Sequence, residues 1–345
     1  MTEVKIQGQQ TILSDKSHTG KIRPWREKKI GNQLLAMAYE DVNPRKAARL
    51  RECACYLIFR KLVDGMKLQE MNSCRVRLCP MCAWRRSLKI YSHVRRIMDG
   101  METERSYRYI FLTLTVRTCQ GADLQNTIDG MMSAWQRLVR LMSVRRAVKG
   151  WYRGLEITHD TEPLISGKRY RTNPKYYKSM GLNVGDANPN YDLYHPHFHC
   201  VLAVNSRYFK TDEYITHEKW VELWRKSMRL DYDPVADVRR VSGNTAKDVA
   251  EVAKYAVKDG DYIVPDDWDL TVETVRLLDR VLENRRLVAY GGKFKEWHKR
   301  LNLDDEMDGD LIHVEDEEEA DAKEKPEIVT YVWNVGYNQY LRANE

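Results

Sequence analysis

The stretch His195-Pro196-His197-Phe198-His199-Cys200-Val201-Leu202-Ala203-Val204 decides how the chain is read. From Phe198 onward it is apolar and β-branched enough to make a buried strand. Side chains alternate between the two faces of a strand, so His197 and His199 share one face while Phe198, Cys200 and Leu202 turn to the core. Two imidazoles on one face, one residue apart, can grip a single cation. A pair of satisfied surface histidines is the plainer reading, but three of the nine histidines fall within five residues, and that crowding favours a metal. Two ligands leave a divalent ion short. Glu156, in the preceding strand-like stretch YRGLEIT (152–158), is the best third ligand, because an antiparallel neighbour would bring its carboxylate beside the imidazoles. A mixed nitrogen and oxygen set with open water positions suits Mg²⁺ or Mn²⁺ in phosphoryl transfer; imidazole also suits Zn²⁺.

Working outward, residues 109–116 (YIFLTLTV) alternate as a strand, with Thr113 and Thr115 on one face. Apolar side chains at helical spacing predict a helix over 124–141, and further helices are expected over 32–50, 85–98, 218–229 and 245–258, with a short strand over 236–241. Trp220 and Trp224 read as core. Between the strands at 152–158 and 198–204 runs a long polar insert, to which Lys168, Arg169, Arg171, Lys175 and Lys178 give a basic face. From residue 107 the expected order is β-α-β-β-α-β-α, an α+β arrangement with helices packed on an antiparallel sheet. The Gly291-Gly292 pair reads as a turn, and nothing resembles a glycine-rich phosphate loop, which argues against an ATPase or helicase.

Charge is distributed unevenly. The 345 residues carry a net +7, but 304–327 hold 13 acidic residues against two lysines. The remainder has 55 basic and 37 acidic residues, a net +18 that favours a polyanionic partner. The first thirty residues are polar and basic and read as an arm. They contain no secretory signal, and no apolar run reaches membrane-spanning length, so a cytoplasmic protein without a membrane partner is expected.

Five of the seven cysteines crowd into 53–82. Cys74, Cys79 and Cys82, with either Cys53 or Cys55 upstream, make a four-thiolate set of the kind that holds structural Zn²⁺. Arg75, Arg77, Arg85 and Arg86 flank it and are candidates for phosphate contacts. Farther on, Glu251, Tyr255 and Lys258 fall on one face of the helix expected over 245–258. By spacing alone such a stripe is more often a solvated face than a catalytic set.

Taken together and in order, YIFLTLTVR (109–117), HPHFH (195–199) and EVAKYAVK (251–258) resemble the three motifs of HUH rolling-circle replication initiators, and more narrowly the single-tyrosine plasmid Rep family. The cysteine module and the stretch RLVAYGGKFKEWHKRLNL (286–303) are similar to that family too, so the likeness runs over most of the chain from about Lys21. The resemblance implies that Tyr255 is the nucleophile and that His197 and His199 hold the ion. It also implies that Glu251 is a second catalytic group and that Cys53 is the preferred fourth zinc ligand. The expected activity is nicking of single-stranded or extruded plasmid origin DNA, with a host helicase and polymerase as partners. The expected domains are a basic arm and helix (1–50), a zinc module and basic helix (51–106), an HUH nickase domain (107–261), and a C-terminal region (262–345) with a flexible acidic segment (304–327). The rival readings are an HUH transposase or relaxase and a non-catalytic zinc protein that binds DNA.

Overall fold

The alternation seen around the histidines is the alternation of a real sheet. The computed structural model describes residues 11–17, 20–62, 65–241, 259–264, 266–314 and 327–343. The chain begins with α1 (Trp25–Glu40), α2 (Pro44–Glu52), β1 (Tyr56–Leu62), β2 (Gly65–Met71) and α3 (Pro80–Glu104). Next come β3 (Tyr107–Thr115), α4 (Gly121–Leu138), α5 (Met142–Ala147), β4 (Val148–His159), α6 (Gly167–Thr172) and α7 (Pro174–Ser179). Then follow β5 (Tyr194–Asn205), α8 (His217–Met228), β6 (Ala236–Arg240), α9 (Trp268–Leu282), β7 (Val288–Gly292), α10 (Lys293–Arg300), β8 (Ile328–Asn334) and β9 (Gln339–Arg342). This is a mixed α+β architecture in which all the strand pairs are antiparallel. The helix expected over 32–50 is two helices. Pro44 has no N–H to continue the first, and it starts the second behind Asn43, whose side chain accepts the Lys46 N–H. No helix among the described residues is long and apolar enough to cross a membrane.

Two compact units emerge. One is Met1–Val94 with Asp267–Leu282 and Asn302–Glu345. Its sheet has the order β2-β1-β8-β9, and its core stacks Trp25 edge-on against Trp84 and Phe59. Two expectations are corrected here. Residues 11–13 are not a free arm: the Leu13 N–H donates to the Tyr340 carbonyl and the Arg342 N–H to the Thr11 carbonyl. The acidic segment is packed over 304–314, where Asp304 pairs with Lys89, Glu306 is buried beside His93, and Leu311 and Val314 are buried. Residues 315–326 lie outside the described residues.

The other unit is Arg95–Asp266 with Glu283–Leu301. Its five strands run in the order β6-β3-β5-β4-β7. Phe198 points to one face of β5, where Trp135 of α4 and Trp224 of α8 each stack 6.0 Å from its ring. Trp220 and Trp224 are buried as expected. Helices therefore cover that face, and the alternation of β5 sends the histidines to the opposite one. Gly291 and Gly292 end β7, and the chain passes from strand to helix at Gly292, which caps α10. Gly292 stands opposite Gly150 of β4, at φ +53°, and a Cβ on it would strike the Lys149 carbonyl, so this close strand pairing needs glycine.

Candidate functional site

Strand register assembles a three-residue cluster. Glu156 of β4 and Thr115 of β3 both stand opposite His197 of β5, and Thr113 of β3 stands opposite His199. The ligand atoms of Glu156, His197 and His199 all lie within 4.8 Å of one another, on buried side chains. Glu156 Oε2 is 2.8 Å from His199 Nε2 and 3.4 Å from His197 Nε2. The other ring nitrogens face elsewhere: His197 Nδ1 is 3.0 Å from the His195 carbonyl oxygen, and His199 Nδ1 is 3.2 Å from Thr113 Oγ1. When Nδ1–H donates to a carbonyl, Nε2 keeps its lone pair, which is how metal-binding histidines are oriented. A buried carboxylate also needs positive charge close by. Two imidazole nitrogens and a carboxylate oxygen that converge in this way fit a divalent ion. His195 stacks on His197 but is not in the cluster; burial, with His197 beside it, holds its pKa down to about 4, so it is neutral at pH 7.

A cavity of about 990 Å³ opens beside the cluster. Thr115, which stands opposite His197, lines it together with the facing pair Thr158 and His195, and Arg117, Lys168 and Tyr232 are also in its wall. The Arg117 guanidinium lies 3.8 Å over the Tyr232 ring. Lys168 belongs to the basic insert, where α6 and α7 form; Lys168, Arg171, Lys175 and Lys178 are exposed, while Arg169 is held by Asp160 and Glu162. The insert is closed at its base by His159, which the sequence reading did not single out. Its Nε2 is 2.8 Å from Asp192 and its ring stacks 4.1 Å from Tyr194.

In the other unit Cys53, Cys74, Cys79 and Cys82 form a second cluster. Its sulfurs are separated by 3.7 Å (Cys53 to Cys79), 3.6 Å (Cys53 to Cys82) and 3.8 Å (Cys74 to Cys82). A tetrahedron of sulfurs about 2.3 Å from a central zinc has edges of about 3.8 Å, so the spacing fits that ion. Hydrogen bonds from Cys53, Cys74 and Cys79, with Arg86 adding its charge, hold the Cys82 thiol well below its ordinary range, whereas hydrogen bonding to Cys74 pushes Cys53 up. Four thiols in one buried place cannot all ionise without a cation. Asn32 Nδ2 donates to Cys79 Sγ (3.3 Å) and the Cys74 N–H to Cys53 Sγ (3.4 Å), donors that stabilise thiolates. Cys55 is outside the cluster and donates its S–H to the Arg51 carbonyl. The flanking arginines do not all face solvent. Arg85 and Arg86 are buried, and Arg85 spans the Trp25 and Trp84 rings while donating to the Leu311 and Ile312 carbonyls, so Arg85 is already engaged within the fold.

Glu251, Tyr255 and Lys258 lie outside the described residues.

The model of a family described as "Replication protein" matches residues 65–341. The chain is 38% identical to a "Protein rep" of Bacillus amyloliquefaciens, over 96% of the chain and 97% of that protein. It is 33% identical to one of Lactiplantibacillus plantarum (96% and 98%) and 31% identical to one of Streptococcus pneumoniae (99% and 98%). No solved structure matches.

Proposed function

This chain belongs to the replication protein family, and on that premise we propose that it initiates rolling-circle replication of a plasmid as an HUH-type nickase that cuts one strand of origin DNA with Tyr255. The observation that carries the reading is the convergence of Glu156, His197 and His199 on one face of a sheet whose other face is covered by helices. These residues would hold Mg²⁺ or Mn²⁺, which when bound polarises the scissile phosphate and offsets the charge gathering on its oxygens.

Tyr255 supplies the nucleophilic oxygen. A phenol ordinarily titrates near pH 10, so its ionisation needs help, and Lys258, three residues on, is suited to stabilise the phenolate. The phenolate oxygen attacks phosphorus, the bond from phosphorus to the 3′ oxygen breaks, and the departing oxygen takes a proton from water. The 5′ phosphate stays on Tyr255, and the free 3′ hydroxyl primes a host polymerase. At the end of the round Glu251 takes a proton from a water whose oxygen attacks the phosphorus of the second phosphodiester. The bond from that phosphorus to its 3′ oxygen breaks, the departing oxygen takes a proton, and the new 3′ hydroxyl then displaces the Tyr255 oxygen from the first phosphate, so no second tyrosine is needed. The cavity with Arg117, Lys168 and Tyr232 offers charge and an aromatic face to an unpaired strand. Strand separation falls to a host helicase. The test is mass spectrometry of the adduct trapped on labelled single-stranded origin DNA with Mn²⁺; a 5′-phosphoryl nucleotide on Tyr255 is expected, and an adduct elsewhere sinks the assignment.

Cys53, Cys74, Cys79 and Cys82 would hold Zn²⁺ in a structural role, tying the turn after α2 to the start of α3. One zinc per chain is expected by elemental analysis. Cys79→Ser should lose it along with much of a folding stability of about 5–15 kcal/mol. Cys55→Ser should keep both, and a zinc-free Cys55→Ser protein would reverse the choice between Cys53 and Cys55.

A further inference from the structure

The strand that supplies Glu156 carries an arginine on its other face. Trp151, Arg153 and Leu155 alternate with Tyr152, Gly154 and Glu156, which puts Arg153 on the helix-packed side, where its guanidinium lies 4.6 Å from the Phe198 ring. Arg153 is 3% exposed. Its Nη2 donates to the Arg286 carbonyl at 3.3 Å and its Nη1 to the Met132 thioether sulfur at 2.6 Å, but Nε has no hydrogen-bond partner, and no carboxylate pairs with it among the described residues. Burial lowers its pKa to about 10, which still leaves it charged at neutral pH. A buried cation without an anion is costly.

Arg153 lines a second cavity, of about 600 Å³, at the edge where β7 joins β4. Trp151, Arg285, Arg286, Tyr290 and Lys295 line it too, and no acidic side chain does. Arg285 is engaged by Asp129. Arg286 and Lys295 are exposed and form no ion pair among the described residues. Both belong to the RLVAYGGKFK stretch (286–295), to which the nicking reaction gives no role.

We propose that this cavity is a phosphate site, with Arg153 as its floor and Arg286 and Lys295 as its rim, and that it takes a backbone phosphate of the DNA on the side of the sheet away from the nick. The exposed rim lets a phosphate that is part of a polymer reach the buried charge, and three cations without a carboxylate favour an anion over any other ligand. Only the source of the phosphate rests on reading the chain as a DNA nickase.

The test uses the full chain. In fluorescence anisotropy with labelled origin DNA over a salt series, Arg286→Ala/Lys295→Ala is expected to bind roughly tenfold more weakly. The slope of log K against log salt should shrink by about one to two. Nicking of an oligonucleotide just long enough to span the cut should be unchanged. In a parallel thermal melt, inorganic phosphate should raise the midpoint of the wild type but not that of Arg153→Met, which replaces the charge with apolar volume and tests the floor without leaving a hole. Protection of the wild type alone, with normal DNA binding by the rim variant, keeps the site and assigns it a free anion. Equal salt slopes together with equal phosphate effects on wild type and Arg153→Met overturn it. Binding is read without cleavage, so a failed nickase assignment leaves this result interpretable.

Discussion

Tyr255→Phe is expected to abolish covalent attachment to DNA and to reduce nicking by several orders of magnitude, up to about a millionfold, the scale seen when a covalent catalyst loses its nucleophile. Phenylalanine keeps the ring and removes only the oxygen that would bond to phosphorus, so origin affinity should stay within about twofold, since no phosphate contact is lost. The companion variant Glu251→Ala separates the two halves of the proposal. It should still form the adduct at nearly the wild-type rate, while the terminating hydrolysis slows by about 10²–10⁴-fold, the usual worth of a general base. A denaturing gel resolves all of these species. An adduct that persists in Tyr255→Phe would remove the nucleophile from the account; loss of adduct in Glu251→Ala would move Glu251 into the first cut.

His199→Ala is the second large effect. His199 Nε2 lies nearest to the Glu156 carboxylate, at 2.8 Å, and its Nδ1 is held by Thr113. Without the imidazole a buried carboxylate keeps one nitrogen partner from the cluster, and the converging set loses one of its three donors. Nicking should fall by at least about a hundredfold, comparable to removing one preorganised donor from a reacting centre, and added Mn²⁺ should restore little of it. Thr113→Val, which removes only the hydroxyl that steadies the ring, should cost about tenfold and recover at high Mn²⁺. His195→Ala should leave metal dependence alone, because His195 is outside the converging set. Metal titration of nicking, with circular dichroism to check folding, distinguishes the three. Equal Mn²⁺ dependence in wild type and His199→Ala would separate the cluster from the reaction.

Much of this geometry was legible because it is local. A period of two is enough to put His197 and His199 on one face, and an antiparallel neighbour is enough to bring Glu156 opposite His197. The helical spacing around Trp220 and Trp224 likewise marked core. Other features depend on contacts that no short window contains. Whether Cys53 or Cys55 joins the cluster is decided at Ala54, whose φ of +52° turns the chain after α2 and sends the two thiols apart. Gly291-Gly292 carries a turn signature, and the chain does pass from strand to helix there, but the same residues also pair with β4 some 140 positions earlier, where Gly150 leaves room. The acidic composition of 304–314 suggested solvation, but Lys89 and His93 on α3 give Asp304 and Glu306 partners. Arg153 did leave a local trace, as one charged residue in the apolar stripe of Trp151, Leu155 and Ile157.

The alternation of β5 makes that strand behave like a reading frame. Insert or delete one residue ahead of Phe198 and its ring would rotate toward the face that carries Glu156, while an imidazole would be driven between Trp135 and Trp224. The converging imidazoles and the core are thus encoded on alternate letters of the same word, so a residue added or lost should be borne more readily in the insert between β4 and β5 than within the strand.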